Sequence, residues 1–327
     1  MKKLSLFLAL TLLCLIGSTT VLAEETDYTQ IPEGMLVGFI NYSDTLDSGR
    51  MIHEGIEKWC EENGVELLVA DADGDETNMM TICDNFILQG VDIIIDFNFN
   101  PAGGSALVFK CNTAGIPLIS LDWLYEGENS YYVGIDNNEA GLVGGEAAVK
   151  YVEEKFGGEV EYVVSSYSAS LEDINVRTTN AVIALREAGY DIPDENCFTL
   201  ECGTGDATQL AREQMTDWLT AHPDGKMVCV AGNDEIALGF HSAIESQNRG
   251  DDCILVSHCC EIPSQTAIKN GDTVWLATVD YMQSYYAETC MPLAVRLVNG
   301  EKVEDVYSYV HPRFIDADNI YEFYPDA

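Results

Sequence analysis

Five polar or aromatic clusters each follow a short apolar run: Asp96-Phe97-Asn98, Asp122-Trp123, Ser165-Ser166-Tyr167, Asn233-Asp234 and His258-Cys259. Carboxylates and side-chain amides can each meet two hydroxyls of a small polar molecule, while an aromatic face covers the apolar edge of a ring. The same mixture could stack a sugar, stack a nucleobase or hold a cationic amine. These are binding chemistries. The patterns GxSxG and HExxH and the phosphate-binding glycine loops do not occur. No acid and base stand paired either, so the chain does not read as an enzyme.

The run His258-Cys259-Cys260-Glu261 combines soft metal ligands with a candidate reactive thiol. Adjacent cysteines cannot form a relaxed bridge, and no second His or Cys lies nearby at ligand spacing. One side chain is therefore expected to line a cleft and its neighbour to pack behind it, with no metal and no cofactor. Asp71-Ala72-Asp73-Gly74-Asp75 resembles part of a calcium loop. Ile82 stands where that loop needs a glutamate, so the stretch reads as an acidic turn.

The elements that must carry these clusters alternate. Strands are expected at 36–40, 65–70, 93–95 and 116–121, with helices at 48–63, 77–89 and from 101 to Gly115 between them. In the first helix Met51, Ile52, Ile56, Trp59 and Cys60 share one face while Glu54, Glu57, Lys58, Glu61 and Glu62 occupy the other. A further strand at 131–135 is followed by the same plan again. It has helices at 139–156, 173–188, 207–220 and 234–246 and strands at 160–164, 197–200, 227–231 and 254–257. After Pro263 come one helix, a strand at 274–279, a helix at 282–298 and an aromatic, strand-like tail at 307–324. Such regular spacing specifies βαβ units around parallel sheets. Two lobes of similar design enclose a cleft, and ligands of open parallel sheets lie beyond the carboxyl ends of the strands.

Lys2-Lys3, the apolar run Leu4–Ile16 and Val21-Leu22-Ala23 have the layout of a secretory signal peptide cleaved near Ala23. The run is shorter than the roughly 20 residues a spanning helix needs. A lipid anchor at Cys14 is disfavoured by the bulky Leu12-Leu13 before it. The mature chain, 24–327, is expected to be extracytoplasmic and not inserted in a membrane, with 24–34 a flexible lead-in. A formal net charge of −39 repels phosphate backbones and anionic membrane surfaces, which sets nucleic acid aside. Ten cysteines remain after the leader. An even number in an exported chain permits disulfides, yet Cys229 and Cys253 lie inside apolar runs like small buried hydrophobes.

Three of these stretches resemble the type I periplasmic solute-binding proteins, the ribose- and galactose-binding family. Thr220–Phe240 is similar to that family's strand–Asn-Asp–helix segment, and Ile116–Asp122 to its strand ending on a ligand-binding Asp. Gly134-Ile135-Asp136-Asn137, with Gly144-Gly145 beyond, is similar to its first hinge crossing. The resemblance covers nearly the whole mature chain. It implies two Rossmann-like lobes with parallel sheets joined by a three-crossing hinge: 35–136 plus about 282–310, and 137–281 plus about 311–327. Hinge residues are then Asp136, Asn137, Met282 and His311.

The implied function is capture of a small polar solute, a carbohydrate first, by a monomer that delivers it to an ABC permease. A ligand-sensing subunit for a two-component or chemotaxis receptor is the alternative, as is a nucleoside or cationic amine as ligand. Asp122 and Asn233 stand where the family binds hydroxyls, and Phe97, Asn98 and Tyr167 are expected beside them. Other positions depart from the sugar pattern. Trp123 and Asn175 stand in place of arginines, with Arg177 two residues on. Cys259 replaces an Asp, Tyr281 a Gln, and Asp206 an aromatic residue.

Overall fold

The computed structural model describes residues 27–98, 101–169, 174–203 and 207–325. The leader with Cys14 and Ala23, residues 24–26 of the lead-in, and Asp206 lie outside the described residues.

The first half runs β1 (Leu36–Asn41), α1 (Asp47–Asn63), β2 (Glu66–Asp71), α2 (Glu76–Gln89), β3 (Ile93–Phe97), α3 (Pro101–Ala114), β4 (Leu118–Leu121) and β5 (Ser130–Gly134). Then come α4 (Asn137–Phe156), β6 (Tyr162–Tyr167), α5 (Val176–Thr179), α6 (Ala181–Glu187), β7 (Cys197–Glu201), α7 (Thr208–Ala221), β8 (Met227–Val230) and α8 (Asp234–Ser246). The chain ends with β9 (Cys253–His258), α9 (Ile262–Lys269), β10 (Trp275–Asp280), α10 (Tyr286–Val298), β11 (Tyr307–Tyr309), β12 (Arg313–Asp316) and α11 (Ile320–Phe323).

Two six-stranded sheets result, ordered β11-β5-β4-β3-β1-β2 and β12-β10-β9-β8-β6-β7. The first is parallel throughout. The second is parallel except for β12, which runs antiparallel to β10. Alternation along the strands explains why both faces are covered. In β3, Ile93, Ile95 and Phe97 pack with Ile52 and Ile56 of α1 and Met291 and Ala294 of α10. Ile94 points the other way, into the cluster with Met79 and Cys83 of α2 and Leu107 and Cys111 of α3. A strand buried on both sides must read as a near-continuous apolar run, as Ile93-Ile94-Ile95 does.

The chain passes from one sheet to the other three times: after β5, after β10 and between β11 and β12. At the first passage Asp136 caps α4, its Oδ1 accepting the Asn138 N–H at 2.8 Å. At the third, His311 Nδ1 lies 3.0 Å from both carboxylate oxygens of Glu139 in α4. At the second, Met282 adopts φ 58, a left-handed conformation costly for a side chain with a Cβ. Its N–H is held by Asp280 Oδ1 at 2.7 Å.

That turn is why the helix expected from 282 begins at Tyr286, after one 3-10 turn over Gln283–Tyr285. The helix expected over 173–188 is also divided, into α5 and α6 around Asn180. There the backbone lies against α4 so closely that a Cβ on Gly141 would come within 2.2 Å of the Val176 carbonyl oxygen. The tail, expected as one strand-like stretch, forms two short strands in different sheets and a final helical turn. Among the described residues no helix is long and apolar enough to cross a membrane.

Candidate functional site

Asp122 follows β4 in a left-handed turn, φ 61, which lifts its side chain over the first passage between sheets. Gly134 lies directly below. A Cβ there would come within 2.6 Å of both Asp122 Oδ1 and the Tyr132 hydroxyl. Tyr286, the first residue of α10, donates its hydroxyl to Asp122 Oδ1 at 2.6 Å. Burial raises the Asp122 pKa, while Arg177, the Tyr286 and Gln283 side chains and the Ile135 N–H favour the anion.

Arg177 approaches from α5. Its Nε donates to Asn137 Oδ1 at 2.6 Å, and its guanidinium carbon stands 4.8 Å from the Tyr281 ring centroid, within cation–π range. Burial opposes the Arg177 charge, but Tyr281, Asp122 and Cys259 outweigh it and hold its pKa above the ordinary value. Tyr281 is 2% exposed, and among the described residues its hydroxyl has no hydrogen bond of good geometry. Burial raises its pKa as well, with Arg177, Cys259 and Asp122 all in electrostatic reach. Asp122, Asn137, Arg177, Cys259 and Tyr281 therefore form one group, drawn from the tips of both sheets.

The turn carrying Cys259 is fixed by Asp234. That carboxylate is buried and accepts from Ser257 Oγ at 2.7 Å, Ser264 Oγ at 2.5 Å and the Glu261 N–H at 2.9 Å. The clamp holds Cys259 and Cys260 at φ 92 and 58. Cys259 is half-buried at the group just described. Cys260 is fully buried and packs with Ile268, Ile315 and Ile320. Beyond the turn, burial pushes the Glu261 carboxyl up to about 7, with Asp234, Glu235 and Asp47 adding to it. Among the described residues no three His, Cys, Asp or Glu side chains converge to hold a metal ion. The ten cysteines from Cys60 to Cys290 are free thiols.

Several expected site residues are used elsewhere. The Phe97 ring is 0% exposed within the α1–α10 core, because β3 alternation turns it inward. Asn98 is buried, and its amide donates to Met79 Sδ. Asn175 accepts from the Ser168 N–H and donates to the Ser168 carbonyl, both at 2.9 Å, so its amide clamps a loop. Asn175→Ala is expected to leave that backbone pair unsatisfied and to cost about 2 kcal/mol in urea unfolding. A change within about 0.5 kcal/mol would remove the clamp role.

Asn233 caps α8, its Oδ1 accepting the Ile236 N–H at 2.8 Å, with Nδ2 3.3 Å from Glu235 Oε2. Asn233→Ala should lower stability by about 1 kcal/mol through the lost cap, read from the thermal midpoint; an unchanged midpoint would argue against it. Trp123 is half-buried against the cluster that contains Tyr125, and Tyr167 is half-buried at the tip of β6.

Residues that sequence reasoning missed are Tyr132, Gln283 and Tyr286, while Gly134 and Glu261 enter it only within the hinge crossing and the His258–Glu261 run. For Tyr286 a signal existed. It opens the apolar stripe Tyr286, Cys290, Met291, Ala294, whose first member alone has a hydroxyl, next to a passage between sheets.

Two α/β lobes, strand tips of both meeting at a shared polar group and three passages between sheets define a two-lobed binding fold. A family model described as "Periplasmic binding protein domain" matches residues 37–302, and the chain belongs to that family. The ribose import binding protein RbsB of Bacillus subtilis (strain 168) is 28% identical over 268 residues, 79% of this chain and 79% of its own. The D-ribose/D-allose-binding protein of Pseudomonas aeruginosa is 25% identical over 318 residues, 93% of this chain and 95% of its own. An ABC transporter periplasmic solute binding protein from Actinobacillus succinogenes 130z, solved with bound D-allose, has a TM-score of 0.72 and 20% identity. It is covered in full by 88% of this chain. At that identity the likeness speaks for the fold.

Proposed function

We propose that this chain is an extracytoplasmic solute-binding protein that captures a small neutral sugar or polyol between its lobes and presents it to an ABC permease. The observation that carries the reading is the group Asp122–Arg177–Tyr281, which joins a carboxylate acceptor, a guanidinium donor and an aromatic ring across the two sheet tips. A polyol needs these three parts: acceptors and donors for its hydroxyls and a face for its C–H edge. The sugars named for the relatives in Bacillus subtilis and Pseudomonas aeruginosa support the same class. The three passages act as the hinge, closing over solute. The lobe boundaries lie at them, and the closed monomer is the form the permease reads. No reaction is assigned to the site.

A thermal-shift screen of sugars, polyols, nucleosides and amines tests this. A sugar present at about 100 times its Kd should stabilise by roughly 2.7 kcal/mol. Stabilisation by nucleosides or amines alone would end the carbohydrate reading. A solute carrying an ammonium group is the second reading. It is favoured by Glu261, whose proton affinity is raised by burial and by Asp234, Glu235 and Asp47, carboxylates that a cation would relieve.

A further inference from the structure

The Asp122 carboxylate touches two of the three passages between sheets. From the first come the Gly134 surface and the Ile135 N–H. From the second come the Tyr286 hydroxyl at 2.6 Å and the Gln283 side chain. Tyr286 is fully buried and otherwise belongs to the apolar core between α1 and α10. A phenylalanine would fill that core equally well, so the hydroxyl has no packing purpose. A buried Tyr hydroxyl with a carboxylate partner makes a charge-assisted hydrogen bond, one of the stronger kinds.

We infer that Tyr286, with Gln283, is a positioning residue: from the passage after β10 it fixes the Asp122 carboxylate in the orientation offered to a solute. This rests on the reading of Asp122 as a solute-binding group. Asp122 is also faced by Arg177, and Asp122 acts in turn on Tyr132, Tyr281 and Cys259. The Tyr286 hydroxyl bonded to Oδ1 and the charge of Arg177 both favour the anion, against the burial that raises its pKa. Gly134 is part of the device, since a Cβ there would displace both Asp122 Oδ1 and the Tyr132 hydroxyl.

The test is Tyr286→Phe, which removes one oxygen and keeps the ring, in the full mature protein. Carbon-detected titration of aspartate-labelled protein without solute, assigned with Asp122→Asn, should show the Asp122 pKa about one unit higher in Tyr286→Phe. Calorimetry with D-ribose should show affinity about tenfold weaker. Gly134→Ala should weaken D-ribose binding in the same direction. An Asp122 pKa unmoved by Tyr286→Phe overturns the inference, whether or not D-ribose binds. If Asp122→Asn abolishes D-ribose binding while Tyr286→Phe equals wild type in both readouts, the inference falls and the site stands. If Asp122→Asn binds D-ribose as wild type does, the site reading itself falls.

Discussion

Asp122→Ala is expected to abolish the stabilisation that a bound sugar confers, a loss of roughly 2.7 kcal/mol at a sugar concentration about 100 times Kd. The expectation follows from what the carboxylate does. It is the acceptor that lies over the first passage between sheets, takes the Tyr286 hydroxyl and faces Arg177. Without it, Arg177 keeps Asn137 and the Tyr281 face, and on the proposed reading a solute loses an acceptor for its hydroxyls. The solute-free protein should also lose about 1–3 kcal/mol, because the buried Tyr286 hydroxyl is left without its acceptor. Thermal midpoints of both proteins, with and without sugar, separate the two effects. A full sugar-induced shift in Asp122→Ala would show that the solute binds elsewhere.

The second large effect is on stability and concerns a group outside the site. Asp96 in β3 is 0% exposed and stands in register with Ile40 of β1 and Ser120 of β4. Among the described residues, neither of its oxygens, nor the buried Ser120 Oγ, has a hydrogen bond of good geometry. Burial pushes its pKa from 3.8 to about 7, against a modest pull from the Tyr125 hydroxyl. Because the folded chain then holds this proton more tightly than the unfolded chain, stability falls as pH rises from 3.8 towards 7 and the penalty is complete above that. About three units correspond to about 4 kcal/mol.

Asp96→Asn, which carries no charge at any pH, should match wild type near pH 4 and exceed it by up to about 4 kcal/mol at pH 8. The difference between the two proteins isolates Asp96 from His258, whose linkage has the opposite sign. Burial lowers the His258 pKa from 6.5 to about 4, so its contribution to stability is lost as pH falls through that window. Urea titrations at several pH values measure the difference. A gap between variant and wild type that does not change with pH would show that Asp96 is not carried as the neutral acid.

The two-lobe architecture was legible because periodicity and burial agree. Ile93-Ile94-Ile95 reads as a strand covered on both faces, and it is. Glycines close the helices expected at 48–63 and 77–89, with Gly64 and Gly90 at φ 68 and 76. What pattern could not carry was the direction of side chains at strand tips. Phe97 continues the inward alternation of Ile93 and Ile95, so its ring fills core although its neighbours in sequence are polar. Asn175 and Asn233 are the right residue types for hydroxyls, but short amides beside turns and helix starts also satisfy backbone groups, and here they do.

The left-handed turns at Asp122, Cys259 and Met282 were equally invisible, because none falls on a glycine. They are set by contacts distant in sequence, such as the Asp234 clamp on the Cys259 turn. Arg177 shows the limit in the other direction. Its partners Asn137 and Tyr281 lie far from it in the chain, and only the assembled passages bring them together.

Small-angle X-ray scattering of the mature protein, with and without a sugar that raises its thermal midpoint, addresses gripping between the lobes most directly. The account predicts a smaller radius of gyration when the sugar is bound and no contraction in Asp122→Ala at the same sugar concentration. A sugar that stabilises the protein while leaving the radius of gyration unchanged would contradict it.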